Sequence, residues 1–244
     1  MSMNHVSLVR PVKRLTRLDQ IETLFRRQLS TLKKYGCHEV GALHSLWEKL
    51  FPAVVKRLNY ERWMGKDAEE ISIHFLPVIP RFTYGLHHLM KMVRVKSYCG
   101  GGSPPVKLTG EVWHNPKDFV DIIKGVPTDP YYILEVENGR ETVRKDPRDV
   151  EKDIGRKEKR RGMTIDEAIA LCIHTDVLSH HQLLAVGSRV LGEHVGRIPE
   201  VSFGGASPFP PIVGWEAFKI GDRPYEWENY DYGTPVCSTD VISV

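Results

Sequence analysis

Several residues in the 244-residue chain have side chains suited to metal binding or catalysis, and the densest group is Cys172, His174, Asp176, His180 and His181. Thiolate, imidazole and carboxylate all bind zinc, so Cys172, His174 and His180 are candidate metal ligands. Their spacing matches no established zinc pattern. Cys172 falls on the apolar stripe of its segment, where a small hydrophobe belongs. His174 falls near a helix C-terminus, where the dipole favours a histidine whether or not it binds anything. His180 and His181 are adjacent, so in an extended segment they point opposite ways. A second chemistry is nucleophilic. Cys99 precedes three glycines whose amides can approach a ligand, and Cys237 follows Gly233-Thr234-Pro235. Either thiol needs a base, and His174, His114 and His87 are the candidates, which makes His174, Cys237 and Cys99 the candidate catalytic residues. A third is anion holding. Gly187-Ser188-Arg189 follows an apolar run, so Ser188 and Arg189 are candidate ligand-binding residues for a carboxylate or phosphate. For each group there is a plainer alternative, in which the cysteines pack in the core, the histidines sit at the surface and the arginine pairs with an acidic neighbour.

These residues have to be positioned by ordinary elements. Asp19 and Glu22 have capping-box spacing, and Ile21, Leu24, Phe25, Leu29 and Leu32 lie on one helical face up to the Gly36 stop. Leu43–Leu58 reads as a second helix kinked at Pro52. Ile71–Pro80 is extended, with prolines that suit an edge strand. Leu86–Val95 reads as a helix, and Lys107–Trp113 as a short strand. Asn115-Pro116 reads as the cap and first residue of a helix with Phe119, Val120 and Ile123 inside. Tyr131–Val136 is a strong strand ending at the Asn138-Gly139 turn. Asp146-Pro147 opens a charged helix to about Arg161, and Thr164 with Glu167 caps another. Gln182–Val186, Val201–Phe203 and Ile212–Phe218 read as short strands. The expected class is α+β, a helical N-terminal layer over residues 1–66 packed on a mixed α/β body with short strands over residues 70–244.

Composition excludes several classes. Apolar residues are 41% and charged residues 27%, too apolar for a disordered chain. The longest uncharged, mostly apolar run is Ile71–Pro80, far short of the roughly 20 residues that span a bilayer. The formal charge is +3, which demands no polyanionic partner. Residues 1–66 nevertheless carry 13 basic and 5 acidic side chains, whereas residues 195–244 carry 3 and 7. Lys152–Arg161 is basic but interleaved with Glu151, Asp153 and Glu158 at helical pairing distances, which describes a solvated helix face better than a nucleic-acid site. The four cysteines form no CxxC pair, and Met1–Arg10 has no apolar leader, so the expected location is cytoplasmic with free thiols.

The motifs Phe75-Leu76-Pro77-Val78-Ile79-Pro80-Arg81, Pro130-Tyr131-Tyr132-Ile133-Leu134-Glu135-Val136 with Asn138-Gly139, Met163–Ala170, His174-Thr175, Gly187-Ser188-Arg189 and Gly233-Thr234-Pro235 occur in this order. In that order and spacing they resemble an uncharacterised, mostly bacterial family, a domain of unknown function, over residues 70–244 and more weakly over 28–50. Residues 190–208 and 225–231 depart from the family pattern. The resemblance implies no reaction, cofactor or partner. Two function classes follow: a non-catalytic binding or interaction module, which is favoured, and a small hydrolase or transferase using His174 with a cysteine or the Gly-Ser-Arg turn. Cofactor and partner stay unassigned.

Overall fold

The computed structural model describes residues 16–63, 72–97, 106–112, 115–191, 197–203, 211–215 and 231–243. Three helices come first: α1 (Arg17–Lys34), α2 (Val40–Ser45) and α3 (Trp47–Trp63). The expected stripe on α1 is buried at Ile21, Phe25, Leu29 and Leu32. Its cap lies one turn earlier than the sequence implied. Thr16 is the N-cap and Asp19 the reciprocal N3 partner, because Thr16 Oγ1 accepts from the Asp19 amide at 3.2 Å while Asp19 accepts from the Thr16 amide at 2.8 Å. The kinked second helix is two helices. The break falls at Leu46, and Pro52 sits inside α3.

The body holds the strands β1 (Ser72–Val78), β2 (Arg94–Ser97), β3 (Val106–Thr109), β4 (Glu111–Val112), β5 (Phe119–Asp121), β6 (Tyr131–Glu137) and β7 (Arg160–Gly162). Beyond them lie β8 (Gln182–Leu184), β9 (Ser188–Val190), β10 (Pro199–Ser202), β11 (Ile212–Trp215), β12 (Tyr232–Gly233), β13 (Val236–Ser238) and β14 (Val241–Ile242). Helices α4 (Arg81–Tyr84), α5 (Leu86–Met92), α6 (Pro147–Arg156) and α7 (Ile165–His174) connect them. The class is α+β. One sheet runs β1-β6-β13-β7 with β14 also on β6, and a second runs β12-β8-β10-β11-β4. Strand β1 is an edge, as its prolines required, and pairs antiparallel with β6 through Phe75↔Leu134 and Val78↔Tyr131. The buried Gln28 of α1 donates to the Phe75 carbonyl at 3.0 Å. One apolar cluster joins Phe25, Leu29 and Leu32 of the helical layer to Phe75, Tyr132 and Ile169 of the body.

Three expected helices are shorter or absent. Asn115-Pro116 starts a single 3-10 turn, Pro116–Asp118, closed by Asn115 Oδ1 accepting from the Lys117 amide at 3.0 Å. Strand β5 follows, so Phe119 is buried and Val120 exposed in strand alternation. The charged helix α6 stops at Arg156, because β7 needs Arg160–Gly162 for pairing with β13. Helix α5 stops at Met92, and the chain turns into β2.

Candidate functional site

Helix α7 organises the polar interior. Its Thr164–Glu167 capping box is present as the sequence indicated, and every residue from Ile165 to Cys172 is buried. That burial takes two adjacent carboxylates, Asp166 and Glu167, out of water, and each therefore requires cationic or hydrogen-bonding partners. Glu167 accepts from Arg161 at 2.6 and 2.7 Å, from the Tyr131 hydroxyl at 2.8 Å and from the Thr164 amide at 2.8 Å. Burial, reinforced by Glu167, pushes the Tyr131 phenol well above its ordinary range. Arg161 comes from β7 and Tyr131 from the start of β6, so this cluster ties α7 to the first sheet.

Asp166 is held from the other side. Its Oδ2 accepts from the Arg81 amide at 3.1 Å and from Arg81 Nη1 at 3.0 Å, while Oδ1 has no partner among the described residues. Burial raises its pKa to about 7 against the opposing pull of Arg81, and Asp121 adds to the rise. Arg81 also reaches Asp121 at 3.2 Å and the Phe119 carbonyl at 3.0 Å. Ser188 donates to Asp121 Oδ1 at 2.5 Å and accepts from the Ile165 amide at 2.9 Å. Asp121 and Ser188 face each other across β5 and β9. Ser188 thus anchors the α7 N-terminus to β5. Arg189 donates to the carbonyls of Val186 and Ser188 at 2.7 and 2.8 Å and pairs with Glu151 of α6. Its guanidinium is committed to holding α6 against β9.

Among the described residues, the remaining candidates make no side-chain hydrogen bond to these clusters, although Cys237 is the strand partner of Arg161. His174 borders a narrow recess with Leu32, Pro77, Leu89 and Asp166. Its Nε2 finds no hydrogen-bond partner among the described residues, and burial drives its pKa down to about 3, with Arg27 adding a like charge. Cys172 is buried on α7, and burial raises its thiol far above the ordinary value. Cys237 is buried on β13, and burial, followed by the Glu167 charge, raises its thiol likewise. A thiol held protonated is a poor nucleophile and a poor ligand. His180 is exposed, 3.7 Å from Asp176. His181 bonds the Asn138 carbonyl through Nε2 at 2.9 Å. Among the described residues no three His, Cys, Asp or Glu side chains group as a metal site. Cys99 and His114 lie outside the described residues, while His87 is on α5 with its ring centroid 6.3 Å from that of His88.

Wider, shallower hollows lie beside Ile122–Val126 and along α1, and a more enclosed concave surface lies away from the candidate site residues. A cleft of about 90 Å³ opens between the Asn138–Thr142 turn, one face of α6 and the Thr234–Val236 segment. Val150, Ile154 and Val236 are buried at its floor. Gly139 makes its wall possible. It has φ +86°, and a Cβ there would lie 2.9 Å from the Gly233 carbonyl carbon and from the Thr234 nitrogen. Thr142 Oγ1 locks the wall by accepting from the Thr234 amide at 2.7 Å and donating to the Gly139 carbonyl at 2.8 Å. On the rim, Arg160 pairs with Glu137 at 2.5 Å and Asp153 with Arg156 at 3.2 Å. Arg140, Lys145 and Lys157 form no ion pair with any described residue, and neither does Glu141. The turn dipeptide Asn138-Gly139 and the Asp146-Pro147 helix start were both visible in the sequence. Their meeting with residues 234–236 was not, because it depends on a long-range approach.

Comparison of the chain with family models, with curated proteins and with solved structures found no match.

Proposed function

We propose that this protein is a non-catalytic binding module whose ligand site is the cleft beside the Asn138–Thr142 turn. One contrast carries the reading. Cys172 and Cys237 are held protonated and Ser188 and Arg189 are engaged inside the fold, whereas the cleft offers an apolar floor beneath charges that form no ion pair among the described residues. A small-molecule site has that composition, concave and apolar with a few placed polar groups. The alternative, a hydrolase or transferase built on His174 with a cysteine or on Ser188 and Arg189, draws less support. His174 faces a recess too narrow for a water molecule, and Ser188 and Arg189 are engaged by hydrogen bonds within the fold. The proposal includes a cytoplasmic location, which suits the unpaired thiols Cys37, Cys172 and Cys237. Among the described residues no helix is long and apolar enough to cross a membrane. Membership of the uncharacterised family that the sequence motifs resemble is also part of this proposal.

The test is an amide chemical-shift map of the full chain against a library of small fragments, run beside nitrophenyl ester and phosphate turnover assays. The module reading expects at least one fragment to shift residues 138–142 and 150–157, with ester and phosphate turnover at the buffer rate. Turnover that His174→Gln abolishes, or a cleft that no fragment perturbs, overturns it.

A further inference from the structure

We infer that the cleft takes a short-chain organic carboxylate, with its charge among Arg140, Lys145 and Lys157 and its hydrocarbon against Val150 and Ile154. The inference rests on the proposed reading of the cleft as the ligand site and specifies its ligand. Three features of the cleft support it.

First, among the described residues the charges around it that form no ion pair are three cations against Glu141 alone, because its other acids, Glu137 and Asp153, are already bonded to arginines. A cation is repelled there, and an uncharged apolar molecule would strip water from the rim without replacing it. An anion gains charge-assisted hydrogen bonds, and the planar guanidinium of Arg140 suits a carboxylate. Second, the floor is made of branched aliphatic side chains, which gain from contact with carbon and offer nothing to a second charged end. Inorganic phosphate satisfies the rim and wastes the floor. Third, about 90 Å³ is well below the roughly 150 Å³ that encloses benzene, so the part of the ligand held inside is a chain of about two to four carbons.

The site needs no rearrangement to bind such a ligand. Its wall is fixed by the Thr142–Thr234 hydrogen bonds and by the bond between His181 Nε2 and the Asn138 carbonyl. The three cations sit on exposed side chains, free to close on a carboxylate from the solvent side.

The experiment is a titration of the full chain by amide chemical shift with butyrate, with its uncharged isostere butyramide and with inorganic phosphate. It is repeated on Lys145→Gln/Lys157→Gln, whose exposed positions leave the fold intact by far-UV circular dichroism. Butyrate is expected to shift Gly139, Thr142 and Val150, to bind more tightly than either comparator, to weaken with added salt, and to lose at least about tenfold in affinity in the double variant. Butyramide binding as tightly as butyrate overturns the anion inference while leaving the cleft a ligand site. Phosphate binding as tightly as butyrate overturns the role of the floor. If none of the three shifts the cleft and the fragment library does, this inference alone fails. If the library is silent too, the proposed function fails with it.

Discussion

Asp166 takes up a proton more readily in the fold than in the unfolded chain, because its pKa rises from 3.8 to about 7. Between those values the folded state binds the extra proton, so the stability that Asp166 contributes is complete below pH 4 and is lost as pH rises through about 7. His174, eight residues further along α7, does the reverse. Its pKa falls from 6.5 to about 3, so the unfolded chain binds the extra proton and stability falls as pH drops through that window. The two slopes, each up to about 1.4 kcal/mol per pH unit, oppose one another and flatten the wild-type profile between about pH 4 and 6.5. Asp166→Asn should expose a steep loss on acidification, and His174→Gln a steep loss toward neutrality, both read by urea unfolding across pH. Two variants with the same slope as wild type would contradict the assignment. Glu167 has a simpler role. Glu167→Gln leaves the buried guanidinium of Arg161 without its charge partner and should cost about 3–5 kcal/mol, with a cost under about 1 kcal/mol counting against a structural role.

At the scale of elements, the glycines around α7 set how closely β7 and the Val186–Gly187 turn can approach. A Cβ on Gly187 would lie 2.7 Å from the Met163 carbonyl carbon and 2.8 Å from the Gly162 carbonyl oxygen, both backbone atoms unable to swing aside. Gly187→Ala should therefore destabilise by about 1–3 kcal/mol, visible as a lower midpoint in thermal unfolding, whereas Gly155→Ala on the open face of α6 should leave the midpoint unchanged or raise it. Much at this scale was legible in the sequence. The α1 stripe, the β1 edge, the β6 run and the Thr164 cap each depend on neighbours a few residues away. The short strands β5, β7 and β9 were not legible, since each exists only by pairing with a distant segment and its residues otherwise read as helix or turn. The polar clusters escaped for the same reason. Asp166 and Glu167 looked like a helix cap region, and nothing local reveals that Arg81, 85 residues away, meets Asp166. A guanidinium beside a proline-rich edge strand and two acids at the start of an apolar helix are the signals that could have paired them.

At the scale of the whole molecule, one apolar cluster runs from α1 through β1 and β6 to α7, and the two charge clusters flank that helix. On the proposed reading, the described cysteines, histidines and acids of the body serve this architecture, and ligand binding belongs to the cleft. The most direct test is site-resolved alkylation of the full native chain by iodoacetamide at neutral pH, with each cysteine peptide quantified by mass spectrometry over a urea series. The account predicts that Cys172 and Cys237 react only as fast as the chain globally unfolds, with the same urea dependence as the loss of circular dichroism. Rapid alkylation of either thiol in the absence of urea, with the fold intact, would contradict it.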